Sequence, residues 1–124
     1  MIDFNNSSFL KLRQVKPEEG EKAVASMLID GEQVLSAYKS VRDCVVFTDK
    51  RAIAVNVQGM TGKKRDYTTM PYSKITSFSV ETAGVMDIDC ELTLWFSGLG
   101  KVSFEFMGQC DIERIGRIIA LHCL

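Results

Sequence analysis

Hydrophobic and polar positions alternate with a period of two over most of the chain between Val34 and Phe106. Alternation sends successive side chains to opposite sides of a pleated strand, so each such run reads as a strand with one buried face. Val34 to Val41 and Cys44 to Thr48 are the first two, separated by a turn at Arg42-Asp43. Thr48-Asp49-Lys50 turns the chain into a third strand, Arg51 to Gln58, where Ile53, Val55 and Val57 share a face. The glycine-bounded loop Gly59-Met60-Thr61-Gly62 leads to a fourth, Lys64 to Met70, which Pro71 stops or sets at an edge. Ile75 to Glu81, Cys90 to Phe96 and Val102 to Phe106 follow. Seven short strands with frequent turns predict an antiparallel barrel or sandwich.

The period changes to that of a helix at both ends. Pro17, Glu18 and Glu19 mark a helix start, since proline fits the first turn and acids suit the positive end of the helix dipole. Val24, Met27 and Leu28 form its apolar stripe, and Asp30-Gly31 ends it. From Asp111 to Leu124, Ile112, Ile115, Gly116, Ile119 and His122 lie on one side, with Glu113, Arg114 and Arg117 on the other. One amphipathic helix after seven strands has only the sheet to bury its stripe against. The residues before Pro17 show no period. The chain therefore divides into an N-terminal arm, residues 1–15, and one domain, residues 16–124.

The motifs along the strands resemble those of the bacterial pleckstrin-homology domain family. They are Arg42-Asp43-x-x-x-Phe47-Thr48-x-x-Arg51, Gln58-Gly59-x-Thr61-Gly62-Lys63-Lys64, Pro71-Tyr72 and Glu81-x-Ala83-Gly84-x-x-Asp87-x-Asp89-x-Glu91-Leu92. The resemblance covers Glu18 to Leu124. Asn56-Val57 departs from it, standing where the family pattern has an acidic and then a basic residue. It implies a mainly β fold: a seven-stranded antiparallel barrel capped by the C-terminal helix, with a short N-terminal helix. It also implies a homo-oligomeric ring, five-membered, and supplies no known ligand.

Composition narrows the function classes. With 124 residues the chain is long enough to bury a core without staples. Its first residues have no basic segment of the kind that opens a signal peptide, which leads us to expect a cytoplasmic protein. Cys44, Cys90, Cys110 and Cys123 have no metal-ligand spacing and read as free thiols, three of them in apolar strand or helix contexts. A pI near 5.8, without exposed aromatics between basic residues, argues against nucleic acid. No nucleophile stands beside an acid–base pair, so we expect no enzyme, no cofactor and no metal.

The net charge of −1 conceals a polarity. Seven basic and three acidic residues fall between Lys39 and Asp66, whereas Glu81, Asp87, Asp89 and Glu91 follow with no base among them. Gly59-Met60-Thr61-Gly62-Lys63 lacks phosphate-loop spacing and lies between strands, so it reads as a turn with solvated lysines. The basic residues Lys50, Arg51, Lys63, Lys64 and Arg65 are the candidates for an anion or ligand site. An anionic lipid headgroup, a neighbouring subunit and plain solvation are the three readings they allow. Calcium would need more oxygens than Asp87, Asp89 and Glu91 offer. With Glu81 and Trp95 these residues are instead candidate oligomer contacts, though Trp95 also reads as a partly buried surface residue. The expected partners are further copies of the chain, an unidentified protein, and, ranked below both, a membrane surface.

Overall fold

The computed structural model describes residues 11–86, 88–108 and 110–124. Strands β1 (Arg13–Val15), β2 (Val34–Lys39), β3 (Cys44–Thr48), β4 (Arg51–Gln58) and β5 (Lys64–Pro71) form one antiparallel sheet in that order. Strands β6 (Ile75–Glu81), β7 (Cys90–Phe96) and β8 (Gly100–Phe106) form a second. All seven expected strands are present, the first ending at Lys39 rather than Val41. The turn after it is drawn tight by Ser40, whose N–H donates to the Asp43 carbonyl at 2.8 Å. The expected barrel is PH-like but not closed by a continuous ladder. At one corner Leu12 bridges β8, with Leu12 N–H to Glu105 O at 3.0 Å and Met107 N–H to Leu12 O at 2.7 Å. At the other, the chain passes from β5 to β6 through a single 3-10 turn, Tyr72–Lys74.

Residues 1–10 of the expected arm lie outside the described residues. Its last residues join the sheet: Leu12 is fully buried and Arg13–Val15 pairs with β2.

Two apolar layers hold the sheets. Between them lies the principal core, where Tyr38 and Phe106 pack with tilted rings, centroids 4.5 Å apart, and Phe47 meets Phe104 edge-on at 6.3 Å. Helix α2 (Ile112–Cys123) covers its open end with Ile112, Ile115 and Ile119. Asp111 caps it, accepting the Arg114 N–H at 3.2 Å. His122, expected on the apolar side, is exposed at the edge and contacts the Ile118 carbonyl at 2.8 Å.

The second layer lies outside the five-stranded sheet. There Val46, Ile53 and Val55 pack under helix α1 (Pro17–Val24) through Val24. Hence Ile53 and Val55 face away from the principal core, and the small Ala52 and Ala54 line its interior. α1 stops at Val24, one 3-10 turn before the expected end. It lies so close to β2 that a Cβ on Gly20 would stand 2.5 Å from that of Ala37.

Candidate functional site

The motif residues brace the fold. Glu32, from the loop after α1, has a fully buried side chain and faces Arg51 at the start of β4. Arg51 donates Nε and Nη2 to the two carboxylate oxygens, each at 2.9 Å, and Nη1 to Thr69 Oγ1, also at 2.9 Å. Its Nη2 further donates to the Met27 carbonyl. Thr48 donates its hydroxyl to Glu32 at 2.7 Å, and the Ile29 N–H does so at 3.2 Å. Tyr72 closes the set through its hydroxyl, 2.7 Å from the Thr48 carbonyl. Burial by itself would raise the Glu32 pKa. The hydrogen bonds from Arg51, Thr48 and Ile29, with the guanidinium charge, outweigh it and bring the carboxyl down to about 2.

A second brace ties the β2–β3 turn to the end of β4. Buried Asp43 accepts the Val57 N–H at 2.9 Å and the Asn56 amide at 3.3 Å. Arg42 donates to the Gly59 carbonyl. Gly59 and Gly62 both have left-handed backbones, at φ +76° and +69°, which side chains other than glycine rarely adopt. This accounts for the glycine spacing of the β4–β5 loop.

The candidate anion residues are not gathered in one place. Lys50 and Arg51 lie at the β3–β4 turn, whereas Lys63, Lys64 and Arg65 lie at the opposite end of β4, and Arg51 is occupied by Glu32. A different set surrounds a groove of about 400 Å³ between α1 and the outer face of β2–β5. Its floor includes Ala37, Cys44, Val55 and Val57. Lys22, Lys39, Arg42 and Arg65 stand around it, with Glu19 the acid among its lining residues. Of these cations, only Arg65 was among the sequence candidates. For Lys39 the available signal was strand parity, because Arg13, Lys39, Cys44, Val55 and Tyr67 are successive cross-strand partners; Lys22 on α1 and Arg42 in a turn had none.

Glu81 and Glu91 are brought together on the outer face of the three-stranded sheet, which Trp95 shares two rows away. Glu81 pairs with Glu91, and Glu91 with Glu105, so three carboxylates form a row across it. Among the described residues no cation pairs with any of the three. A row of Ser79, Thr93 and Ser103 follows, then one of Ser77, Trp95 and Lys101. Trp95 is 37% exposed. Glu105 had no sequence signal until register placed it opposite Glu91. Asp89 lies half-buried just before β7, and Asp87 is outside the described residues.

The four cysteines are free thiols. The Cys110 thiol is pushed up to about 12 by burial and by the neighbouring Cys90 thiol. Among the described residues no group of three or more His, Cys, Asp or Glu is placed to hold a metal ion. No helix among them is long and apolar enough to cross a membrane.

The chain matches the family model "Bacterial PH domain" over residues 3–123. It is 45% identical to the uncharacterized protein YjqA of Bacillus subtilis (strain 168), covering 96% of this chain and 93% of that protein. A crystal structure of a DUF1696 family protein with a pleckstrin-homology domain, from Shewanella loihica PV-4, superposes with a TM-score of 0.76 at 39% identity, covering 93% of this chain and 99% of the other. A pleckstrin-homology domain from Shewanella amazonensis SB2B gives 0.65 at 41% identity, covering 89% and 90% respectively.

Proposed function

The chain belongs to the bacterial PH domain family, and from that premise we propose that it is a non-enzymatic assembly module whose copies join head to tail into a ring. The observation that carries this reading is the row Glu81–Glu91–Glu105. Like charges directly opposite one another on a sheet are destabilising, and a cationic surface laid over the row would relieve that repulsion. The same chain carries one: Lys63 and Lys64 stand exposed at the β4–β5 hairpin. Unlike surfaces on one protomer make heterologous contacts, which close into a ring when the rotation fits. The family resemblance implies five members. Trp95, at the far end of the acidic face, supplies an amphipathic anchor of the kind concentrated in such contacts.

Native mass spectrometry at micromolar concentration tests the reading. A closed oligomer is expected for the wild type, with weaker assembly for Glu91→Lys combined with Glu105→Lys. A monomer or a two-fold dimer refutes the ring.

One observation favours a second reading, a peripheral contact with anionic lipid. The hydrogen bond from Arg42 to Gly59 ties the β2–β3 turn to the β4–β5 loop, and each carries a fully exposed apolar residue, Val41 and Met60, close in sequence to basic ones. Co-sedimentation with acidic liposomes at physiological salt, lost on Lys63→Glu with Lys64→Glu, would promote this reading above the ring.

A further inference from the structure

The groove beneath α1 is unused by the assembly reading, and its chemistry is specific. The floor is apolar and the surrounding charges are cationic. Two of the cations are placed by the sheet: Lys39 stands directly opposite Cys44 across β2–β3, and Arg65 lines the same groove from β5. Arg42, anchored to the Gly59 carbonyl, stands beside them. Four cations line the groove with one carboxylate, Glu19; even with Asp43, buried beside Cys44 and held by Val57 and Asn56, positive charge is in excess. At about 400 Å³ it lies within the ~300–1,000 Å³ of small-molecule sites, which are largely apolar with a few orienting polar groups.

We propose that this groove binds a small amphipathic monoanion, its carboxylate held between Lys39 and Arg65 and its hydrocarbon tail laid along the half-buried Ala23, Cys44 and Val57. The charge fixes the orientation and the buried tail supplies the affinity. A bare anion lacks the second contribution and an apolar amine the first. The site owes nothing to the acidic face of β6–β8, so ring and ligand stand or fall separately.

Cys44 reports on occupancy directly. Burial raises its thiol above the ordinary range, so alkylation by iodoacetamide is slow and best followed at mildly alkaline pH. The full wild-type chain is labelled with octanoate, inorganic phosphate or octylamine present, and peptide mass spectrometry reads each cysteine. Cys90, Cys110 and Cys123 serve as internal references. At ten times its Kd, octanoate is expected to slow Cys44 labelling by about tenfold while leaving the other three unchanged, because only the ligand-free fraction reacts. Phosphate and octylamine should protect far less. Arg65→Glu and, independently, Lys39→Glu should abolish the protection, whereas Arg65→Lys should retain it. Three results overturn the proposal: no protection by octanoate, equal protection by octylamine, or equal protection of all four cysteines.

Discussion

Replacing Arg51 by methionine removes the guanidinium from a carboxylate that cannot reach water. Glu32 is fully buried at its side chain and takes two Arg51 donors at 2.9 Å. Breaking one side of a buried ion pair costs about 3–5 kcal/mol, because the remaining charge is stranded. The Thr48 hydroxyl and the Ile29 N–H still hold Glu32 after the substitution, which places the expected loss near the lower limit, about 3 kcal/mol. The sign of the pH dependence provides a second check. In the wild type the Glu32 pKa is depressed to about 2, so its stabilising contribution is present above the unfolded carboxylate value and is lost as pH falls toward 2. Without Arg51 the hydrogen bonds and charge that most oppose burial are lost, and the folded pKa rises from its depressed value. The penalty is then greatest at neutral pH and shrinks once the carboxyl is protonated. Urea unfolding of both proteins at pH 7 and about pH 3 measures this, and the gap in stability should narrow at the lower pH. Adding Glu32→Gln to Arg51→Met should recover stability relative to Arg51→Met. A loss below about 1 kcal/mol, the range of an exposed pair, would refute the buried brace. So would a gap that does not change with pH.

Two further substitutions probe the two apolar layers. Gly20→Ala would lower the cost of helix formation by ~1 kcal/mol in isolation, but its Cβ would stand 2.5 Å from that of Ala37. A net loss of about 1–2 kcal/mol in equilibrium unfolding is expected, and a gain in stability would mean that α1 is not seated on β2. Ile115→Ala removes a fully packed side chain of α2 and should cost about 2–5 kcal/mol in the same assay. A loss under about half a kcal/mol would take α2 out of the core.

Seven of the eight strands, the two helices and the family were legible in the sequence because each rests on local information, whereas β1 lies in the arm where no period shows. Alternation is read within a few residues, so the runs around Phe47, Leu94 and Phe104 declare themselves. Proline and acids at Pro17–Glu19 place a helix start, and the isoleucines of α2 space themselves at its period. Glycine spacing predicted the β4–β5 loop, and the backbone at Gly59 and Gly62 supplies the reason.

Alternation cannot say which face is inside when both are buried, and this is where tertiary structure decided the outcome. Ile53 and Val55 look like interior residues, but α1 lies over the outside of the sheet and covers them, leaving Ala52 and Ala54 to line the principal core. Charge is likewise visible only as a run along the chain until register distributes it. Lys50-Arg51 and Lys63-Lys64 are close in sequence but lie at opposite ends of β4. Lys39, Arg42 and Arg65 come from three separate segments and line one groove with Cys44. Glu105 became part of the acidic row only through its pairing with Glu91. The pairing of Glu32 with Arg51 spans 19 residues and has no periodic signature, because a buried ion pair is set by where two loops are brought together. Sequence thus fixed what each segment can form, through backbone geometry and side-chain period. The positions of the charges relative to one another, and with them the groove and the acidic face, depend on long-range packing that no local pattern encodes.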